Sequence, residues 1–571
     1  MTLEPTLTVR SDYMSDSIAY PEVTTVALPE SAAQLYGDQS AFVFGDEVVS
    51  YAEFGRLTGT FASGLRNAGV RHGDVVLIHM SNCIDFVVGY FGSIRAGATV
   101  SLTNPMQPVA GLHHQLLDTA ANVVLTQRTQ IGNLFAAAEG TSVDLVVVDD
   151  ATWCAEELRE ISSSVRVVAF GDVHDPSKQE FTAPDSVGED LAHIAYTGGT
   201  TGVSKGVIVR QRNIVANLCQ TVLVRCGRQV IRTDGGLMGF GSEVSDVSWG
   251  VDVGTGVSVV VSPLFHAHAL IALNTALMTG NTTVFAGRFD PANLLDMIEQ
   301  YRVSIMTGSP AMWHALTTHA GKAERDLSSM RVVTSGAAPM DSATREALRC
   351  LFPAAQVGEG YGMTEATAVV TMPPLAGSIP NKDGSVGVPV FDTEFEVRAW
   401  DGSGTVLAPE TPGVLWVRGP QVTDGYLGQD EDSAQQFVDG WLDTGDVGYV
   451  DDDGFIFISD RIKDMLIYKG YNIYPRELEE ILISHPDVIA AAVVGRSSDA
   501  TGQEPVGFVV LESHCESAST TPKELIDFVA ERVLPYKKLR DVVIVDAFPT
   551  SAAGKVLKTE LRMKLEARAN Q

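Results

Sequence analysis

Short apolar runs alternate with helix-period segments through the first third of the chain, and this alternation limits the fold more than any other feature. Val75–His79, Val100–Leu102, Val123–Leu125, Leu145–Val148 and Val165–Ala169 read as strands. Between them, Phe54, Leu57, Phe61 and Leu65 repeat at helical spacing, and Cys83–Arg95 is helical again. Strands alternating with helices predict an α/β core with largely parallel sheets. The same style continues through strands at Val257–Val261, Thr283–Phe285, Ser304–Thr307 and Arg331–Thr334. After Gly384 the character changes. Glu394–Trp400, Gly413–Arg418, Gly448–Val450 and Phe455–Ile458 are short strands between Gly, Pro and Asp turns, which predicts a small antiparallel β unit over roughly 384–460. The last stretch reads as a compact α+β module: helices Pro475–His485 and Pro522–Val533, strands Ile489–Val494, Val506–Leu511 and Val542–Val545. The boundary falls near Arg461–Asp464. The expectation is a large N-terminal domain, 1–461, of α/β subdomains with the β unit, and a small C-terminal domain, 462–571.

Composition narrows the function. The chain has 571 residues, 45% hydrophobic and 19% charged, a globular balance that excludes a mainly disordered protein. Its formal charge of −31 disfavours nucleic acid and anionic membranes, and no Lys/Arg run overrides it. The six cysteines form no CxxC pair and no zinc framework, which suits free thiols in a reducing compartment. Residues 253–287 carry no Asp, Glu, Lys or Arg, yet a strand, the Pro263 break and a helix at His268–Met278 explain them better than a membrane span. The N-terminus lacks the apolar core of a signal peptide, so the expected location is cytoplasmic.

The strongest chemical signal is His193-Ile-Ala-Tyr-Thr-Gly-Gly-Thr-Thr-Gly-Val-Ser-Lys-Gly-Val207. An apolar strand runs into a Thr/Gly loop and then a lysine. Glycines let backbone N–H groups approach phosphate oxygens, and the hydroxyls and Lys205 add donors and charge. The spacing is not that of a Walker A loop.

This segment resembles the phosphate loop of the adenylate-forming superfamily, which includes acyl- and aryl-CoA synthetases, peptide-synthetase adenylation domains and luciferase. Collinear segments carry the resemblance along nearly the whole chain: Pro263-Leu-Phe-His266, Ser335-Gly-Ala-Ala-Pro339, Gly358-Glu-Gly-Tyr-Gly-Met-Thr-Glu365, Gly384-Ser-Val-Gly-Val-Pro389, Gly413-Val-Leu-Trp-Val-Arg-Gly419, Trp441-Leu-Asp-Thr-Gly-Asp446, Ser459-Asp-Arg461-Ile-Lys463-Asp, Tyr468-Lys-Gly-Tyr and Ser551-Ala-Ala-Gly-Lys555. The nearest branch is that of coumarate-CoA ligase, luciferase and medium-chain acyl-CoA synthetases.

The resemblance implies a ligase that joins a carboxylate to ATP as acyl-AMP, releases pyrophosphate and then passes the acyl group to CoA. Two anions must meet, so positive charge is needed at the reacting centre. Lys555, Lys205, Thr200 and His266 are the implied catalytic residues, with His266 at the acyl pocket. Thr197, Gly198, Gly199, Thr201, Gly202, Gly336, Ala337, Glu359, Gly360, Tyr361, Thr364, Asp446 and Arg461 are the implied ATP contacts, with Tyr361 on adenine and Asp446 on the ribose. Glu365 is the implied Mg²⁺ ligand. Lys463 is the hinge of a mobile C-terminal domain, and Lys469 and Gly470 line the CoA tunnel. The alternatives keep adenylation and change the partners: a carrier-protein thiol or amine as acceptor, or a non-carboxylate oxyacid such as nitrite as substrate. A catalytically silent nucleotide-binding protein is the rival from another class, and the intact charged set argues against it. The acid itself is not named by the sequence, and the oligomeric state is open, a homodimer included.

Three departures stand out. Ser204 replaces a usual Pro, Arg210-Gln-Arg212 replaces a common Thr-His-Arg, and Lys558 stands where Arg is frequent. Lys205 to His266 spans 61 positions, longer than the resemblance implies. The extra stretch around Arg228–Gly256 is rich in Gly, Ser and Asp. It is expected to be a mobile surface excursion, so that exchanging Gly235–Ser245 for a linker would leave folding intact. His266 and His268 would share one face if their segment were extended.

Overall fold

The computed structural model describes residues 17–149, 165–173, 185–197, 204–243, 253–336, 338–374, 381–469, 471–498, 501–512, 520–550 and 556–569. The architecture is mixed α/β, with a large N-terminal domain and a small C-terminal one. Two seven-stranded sheets dominate the first. In the first sheet, Arg166–Ala169, Leu145–Val148, Val123–Thr126, Val75–His79, Thr99–Leu102 and Leu191–Thr197 lie side by side in parallel, and Lys205–Arg210 closes the edge antiparallel to Leu191–Thr197. Val123–Thr126 and Leu145–Val148 are buried at every position, as strands covered on both faces must be.

The second sheet runs Gln356–Glu359, Val332–Ser335, Ile305–Gly308, Val257–Val260, Thr282–Phe285, Ser40–Phe44 and Glu47–Ser50. All neighbours are parallel except the terminal hairpin. Its carboxyl-end edge is set by register: Gly308 pairs with Ser335, and Ser335 with Glu359. The loops leaving that edge carry Gly336, Gly360 and Tyr361, where open α/β sheets bind ligands.

The helix Gln211–Cys226 stands between these layers and is buried at nearly every position. Its polar residues bind distant backbone instead of water. Asn213 Nδ2 donates to the Pro420 and Val422 carbonyls, Asn217 Nδ2 to Val369 O and Gln220 Nε2 to Phe391 O. A buried polar group left unbonded costs about 1–3 kcal/mol, so these bonds lock the helix to the strands beyond it. Arg210, which stands where Thr is common in the resembled pattern, and Arg212 both clamp Asp424.

Glu394–Arg398, Gly413–Arg418, Trp441–Val450, Phe437–Val438 and Ile456–Arg461 form an antiparallel sheet, as the turn-rich sequence predicts. The chain then leaves it through a tight turn, in which Asp464 N and Met465 N both donate to Arg461 O. Leu466–Tyr468, Tyr471–Ile473, Val488–Ser498, Gly502–Leu511 and Asp541–Ile544 make the C-terminal sheet, with the helices Pro475–Ile483, Pro522–Ala530 and Lys558–Ala569.

Two expectations are corrected. Within the extra stretch, Arg228–Arg232 and Met238–Glu243 form an antiparallel hairpin instead of a mobile excursion. Val230 and Met238 are each 1% exposed and belong to the main core, and Met238 N donates to Ser31 Oγ at 2.9 Å. The Gly-rich composition hid this because the apolar partners come from the helix Leu28–Tyr36, far away in sequence. Residues 244–252 of the stretch lie outside the described residues. The His266–His268 segment is also not extended: His266 is the N-cap, and the helix Ala267–Thr279 begins immediately after it. No helix among the described residues is long and apolar enough to cross a membrane.

Candidate active site

Asp446 is the centre of the best-ordered polar cluster. Its Oδ2 accepts a hydrogen bond from Tyr361 OH at 2.5 Å, and its Oδ1 meets Arg461 Nε at 2.9 Å. Asp446 and Arg461 are register partners on adjacent strands, so backbone pairing fixes their approach. Asp446 is buried, and its charge is the first cause that raises the Arg461 guanidinium above its ordinary value. Burial, then the Asp446 charge, pushes the Tyr361 hydroxyl well up, so it remains a donor.

Glu365 lies in the short 3-10 turn Thr364–Ala366, three residues beyond the strand that carries Tyr361. Its Oε1 accepts from Tyr426 OH at 3.0 Å, and its backbone carbonyl accepts from Thr423 N. Burial raises its carboxyl above the usual range, and Tyr426 and Arg461 pull it back. Lys205 opens the strand that follows the Thr/Gly loop. Its Nζ lies 2.6 Å from Asp432 and 5.0 Å from the centre of the Tyr426 ring. Tyr426 therefore touches both Lys205 and Glu365, and the segment Gly425–Leu427 is held beside Gly206 and Ile208 by backbone hydrogen bonds. Tyr426 and Asp432 escaped the sequence reading, because no local pattern marks them.

Gly336 and Gly360 leave the sheet edge beside other backbone and the His268 ring. Gly336 N donates to Gly308 O, and a Cβ on Gly336 would lie 3.5 Å from the His268 ring. Gly360 N donates to Ser335 O, and a Cβ there would meet Thr371 O at 3.2 Å. Glu359 is buried with both oxygens engaged: Arg345 at 2.6 Å and Met340 N at 2.8 Å. Thr197 O accepts from Ser204 Oγ across the mouth of the loop. His266 packs its ring on Phe265, and burial holds the His266 and His268 imidazoles near about 4, neutral at physiological pH.

Lys463 stands in the turn after Arg461; burial raises the Asp443 carboxyl, and the Lys463 charge is a small offset to that rise. Lys469 adopts φ of 51°, a left-handed conformation uncommon for a lysine, with its N–H on Thr501 O at 2.8 Å. Near the C-terminus, Lys558 pairs with Glu479 at 2.8 Å and Arg562 with Asp464 at 2.5 Å. Gly198, Gly199, Thr200, Thr201, Gly202, Ala337, Gly470 and Lys555 lie outside the described residues.

Comparison with known proteins agrees with this arrangement. Residues 29–427 match the family described as AMP-binding enzyme, and residues 477–555 match the AMP-binding enzyme C-terminal domain. The chain is 33% identical over 525 residues to a 4-coumarate–CoA ligase of Oryza sativa subsp. japonica, covering 91% of this chain and 88% of that one. A 4-coumarate–CoA ligase of Pinus taeda is 32% identical over 540 residues, covering 93% of each chain. Among solved structures, the o-succinylbenzoate CoA synthetase of Bacillus subtilis, in complex with its acyl-adenylate, superposes with a TM-score of 0.75 at 25% identity, covering 95% of this chain and 99% of that one. An anthranilate CoA ligase bound to anthranoyl-AMP shares the fold with a TM-score of 0.82 at 21% identity, covering 96% and 98%. The Asp446–Arg461–Tyr361 cluster sits in a chain that two family models match over most of its length, and that match makes this chain a member of the AMP-binding enzyme family, the adenylate-forming ligases.

Proposed function

We propose that the protein activates a carboxylic acid with ATP as acyl-AMP, releases pyrophosphate, and transfers the acyl group to the thiol of CoA. The observation that carries this reading is the convergence of Asp446, Tyr361 and Arg461 with Glu365, Tyr426 and Lys205 beside the carboxyl-end edge of the second sheet. The 32–34% identity to 4-coumarate–CoA ligases supports a CoA thiol as acceptor.

In this reading Asp446 accepts hydrogen bonds from the ribose hydroxyls, and Arg461 stays beside it. The face of Tyr361, whose hydroxyl is anchored on Asp446, receives adenine. Gly336, Ala337, Gly360 and Thr364 supply backbone and hydroxyl contacts to the nucleotide. Glu359, spent on Arg345 and Met340 N, keeps this segment in place. Thr197 and the loop Gly198, Gly199, Thr200, Thr201 and Gly202 cradle the phosphates, and Lys205 faces them. The Lys205–Asp432 pair is half-exposed on its acidic side, and such pairs are worth about 0–1 kcal/mol, so a polyphosphate displaces Asp432 readily. Glu365 suits Mg²⁺, which takes one or two carboxylates plus phosphate oxygens: its Oε2 accepts no hydrogen bond from the described residues. When bound, the ion would neutralise charge on the phosphates.

Lys555 draws the carboxylate and the α-phosphate together. Neutral His266 and His268 border the acyl site without adding a second positive charge. The C-terminal domain, 462–571, then turns about Lys463, taking Lys555 away and presenting Lys469 and Gly470 to the CoA thiol. The decisive measurement is pyrophosphate release across fatty, aryl and amino acids, with and without CoA. Release with one acid class, followed by CoA-dependent AMP release, is expected. Pyrophosphate release whose product turns over only with an amine or a carrier protein would refute CoA as acceptor.

A further inference from the structure

A cavity of about 40 Å³ opens between the helices Gln211–Cys226 and Ala267–Thr279 and the second sheet. Val259, Val260, Leu273, Ile305 and Met306 make most of its lining apolar. Polar groups interrupt it at definite places. Arg225 enters from the helix side. Ser258 Oγ and Thr283 Oγ1, on the sheet side, are buried and accept or donate no hydrogen bond among the described residues.

The cavity connects to the nucleotide side through His268. That residue lines it, adjoins Gly336 and feels the charge of Arg225. Register supplies the depth. Ser258 pairs with Ile305, three residues before Gly308, whose carbonyl holds Gly336 N. At roughly 3.3 Å per residue, the unbonded hydroxyl lies about 10 Å below the edge where the carboxylate is activated. The helices are registered by the 2.9 Å contact of Thr221 Oγ1 with Thr275 Oγ1, and Arg225 stands one turn beyond Thr221 on the same face.

The two arginines buried most deeply among the described residues are paired. Arg345 holds Glu359, and Arg95 binds Gly55 O, Thr58 Oγ1 and Glu30. No ion pair or hydrogen bond joins Arg225 to any described residue. Burial lowers its guanidinium only to about 10, and no described carboxylate offsets that, so it remains a cation at neutral pH. A part-buried cation at a cavity wall, with no partner among the described residues, is costly, and a wholly apolar acyl chain would desolvate it further without return.

We infer that the acid carries a second anionic group, held by Arg225 at the end opposite the carboxylate that is activated. This specificity rests on the carboxylate-activating reading above. Arg225 selects a compact dianionic acid over a neutral one of the same skeleton, and Ser258 and Thr283 offer hydroxyls deeper in the same cavity.

The test pairs terephthalate with 4-methylbenzoate, and glutarate with pentanoate. Pyrophosphate release and calorimetric binding are measured for wild type, Arg225→Met and Arg225→Lys, with unliganded melting curves for all three. The dianionic member of at least one pair should be favoured ~30-fold or more in kcat/KM and in affinity, as expected for a buried charge pair. Arg225→Met should erase the preference, and Arg225→Lys should keep part of it. Without ligand, Arg225→Met should melt no lower than wild type, because it removes an unpaired charge. A clearly lower melting point would reveal a partner within the chain and overturn the inference. Pyrophosphate release with the neutral acids alone would leave carboxylate activation standing and dismiss the role of Arg225. Arg225-dependent binding of the diacids without pyrophosphate release would do the reverse. Failure of both diacids to bind, or release driven by nitrite alone, would also overturn the assignment.

Discussion

Asp446 faces Arg461 across one antiparallel register pair, and the carboxylate divides its two oxygens between Arg461 Nε at 2.9 Å and Tyr361 OH at 2.5 Å. One buried carboxylate thus aligns a cation and an aromatic ring from two separate strands. The strand bearing Arg461 is also the last before the turn that leads to the C-terminal sheet.

Asp446→Ala should therefore harm nucleotide binding more than any change at the acid site. Both partners lose a charge-assisted bond, and in the proposed reading the ribose loses its acceptor. The KM for ATP is expected to rise ~10- to 100-fold, with a much smaller change in the KM for the acid. Pyrophosphate release titrated against ATP and against acid separates the two, and an equal rise in both would contradict the assignment.

Lys555→Ala should slow adenylation ~100-fold or more, the usual scale for losing a major electrostatic stabiliser of the transition state. Thioester formation from pre-made acyl-AMP should change far less if, as proposed, the C-terminal domain turns and takes Lys555 away from that step. Single-turnover rates of the two half-reactions give the comparison. Equal losses would mean that the domain does not alternate.

The hairpin between the phosphate loop and His266 should behave as core. Met238→Ala is expected to cost about 2–4 kcal/mol, since it removes a fully buried side chain from a packed cluster. Asp234→Ala, at the exposed tip, should stay within about 0.5 kcal/mol of wild type. Denaturant melts at fixed pH decide it; equal stability of both variants would return the hairpin to the status of ornament.

The stabilisation carried by the buried histidines should be lost in acid. Burial lowers His79, His266 and His268 to about 4 and His193 to about 3, from an ordinary 6.5. The unfolded chain takes up these protons below pH 6.5 and the folded chain does not, so the stabilisation is complete above 6.5 and is lost as pH falls toward 4. Asp85 and Asp460, raised by burial to about 7 and about 6, act in the opposite sense, since the folded state keeps their protons longer. Burial raises Glu365 and Asp443 as well, and they act in the same sense as Asp85 and Asp460, so the histidine contribution is read from a single variant. His193→Asn should lower the slope of stability against pH by as much as about 1.4 kcal/mol per pH unit. An unchanged slope in urea melts at pH 5, 6 and 7 would show that His193 titrates normally.

Much of the architecture was legible in the chain because its cause is local. Val123–Leu125 and Leu145–Val148 are unbroken apolar runs, and only a strand covered on both faces stabilises such a run. Glycine, threonine and lysine at close spacing suggest a phosphate loop from the sequence alone, because glycine lets backbone N–H groups approach an anion. What tertiary structure decided lies in contacts between remote segments. Met238 reads as one apolar residue among glycines until Ser31 and the helix Leu28–Tyr36 arrive beside it. His266 reads as part of an extended motif, yet the helix starts at Ala267. Tyr426 and Asp432 gain meaning only when Gly206 and Leu427 bring them to Lys205 and Glu365. Arg225 reads as a cation near a helix end. Its want of a partner among the described residues depends on what Ser258, Thr283 and Ile305 place around it, because the energy of a charge is set by its surroundings in space and not by its neighbours in the chain.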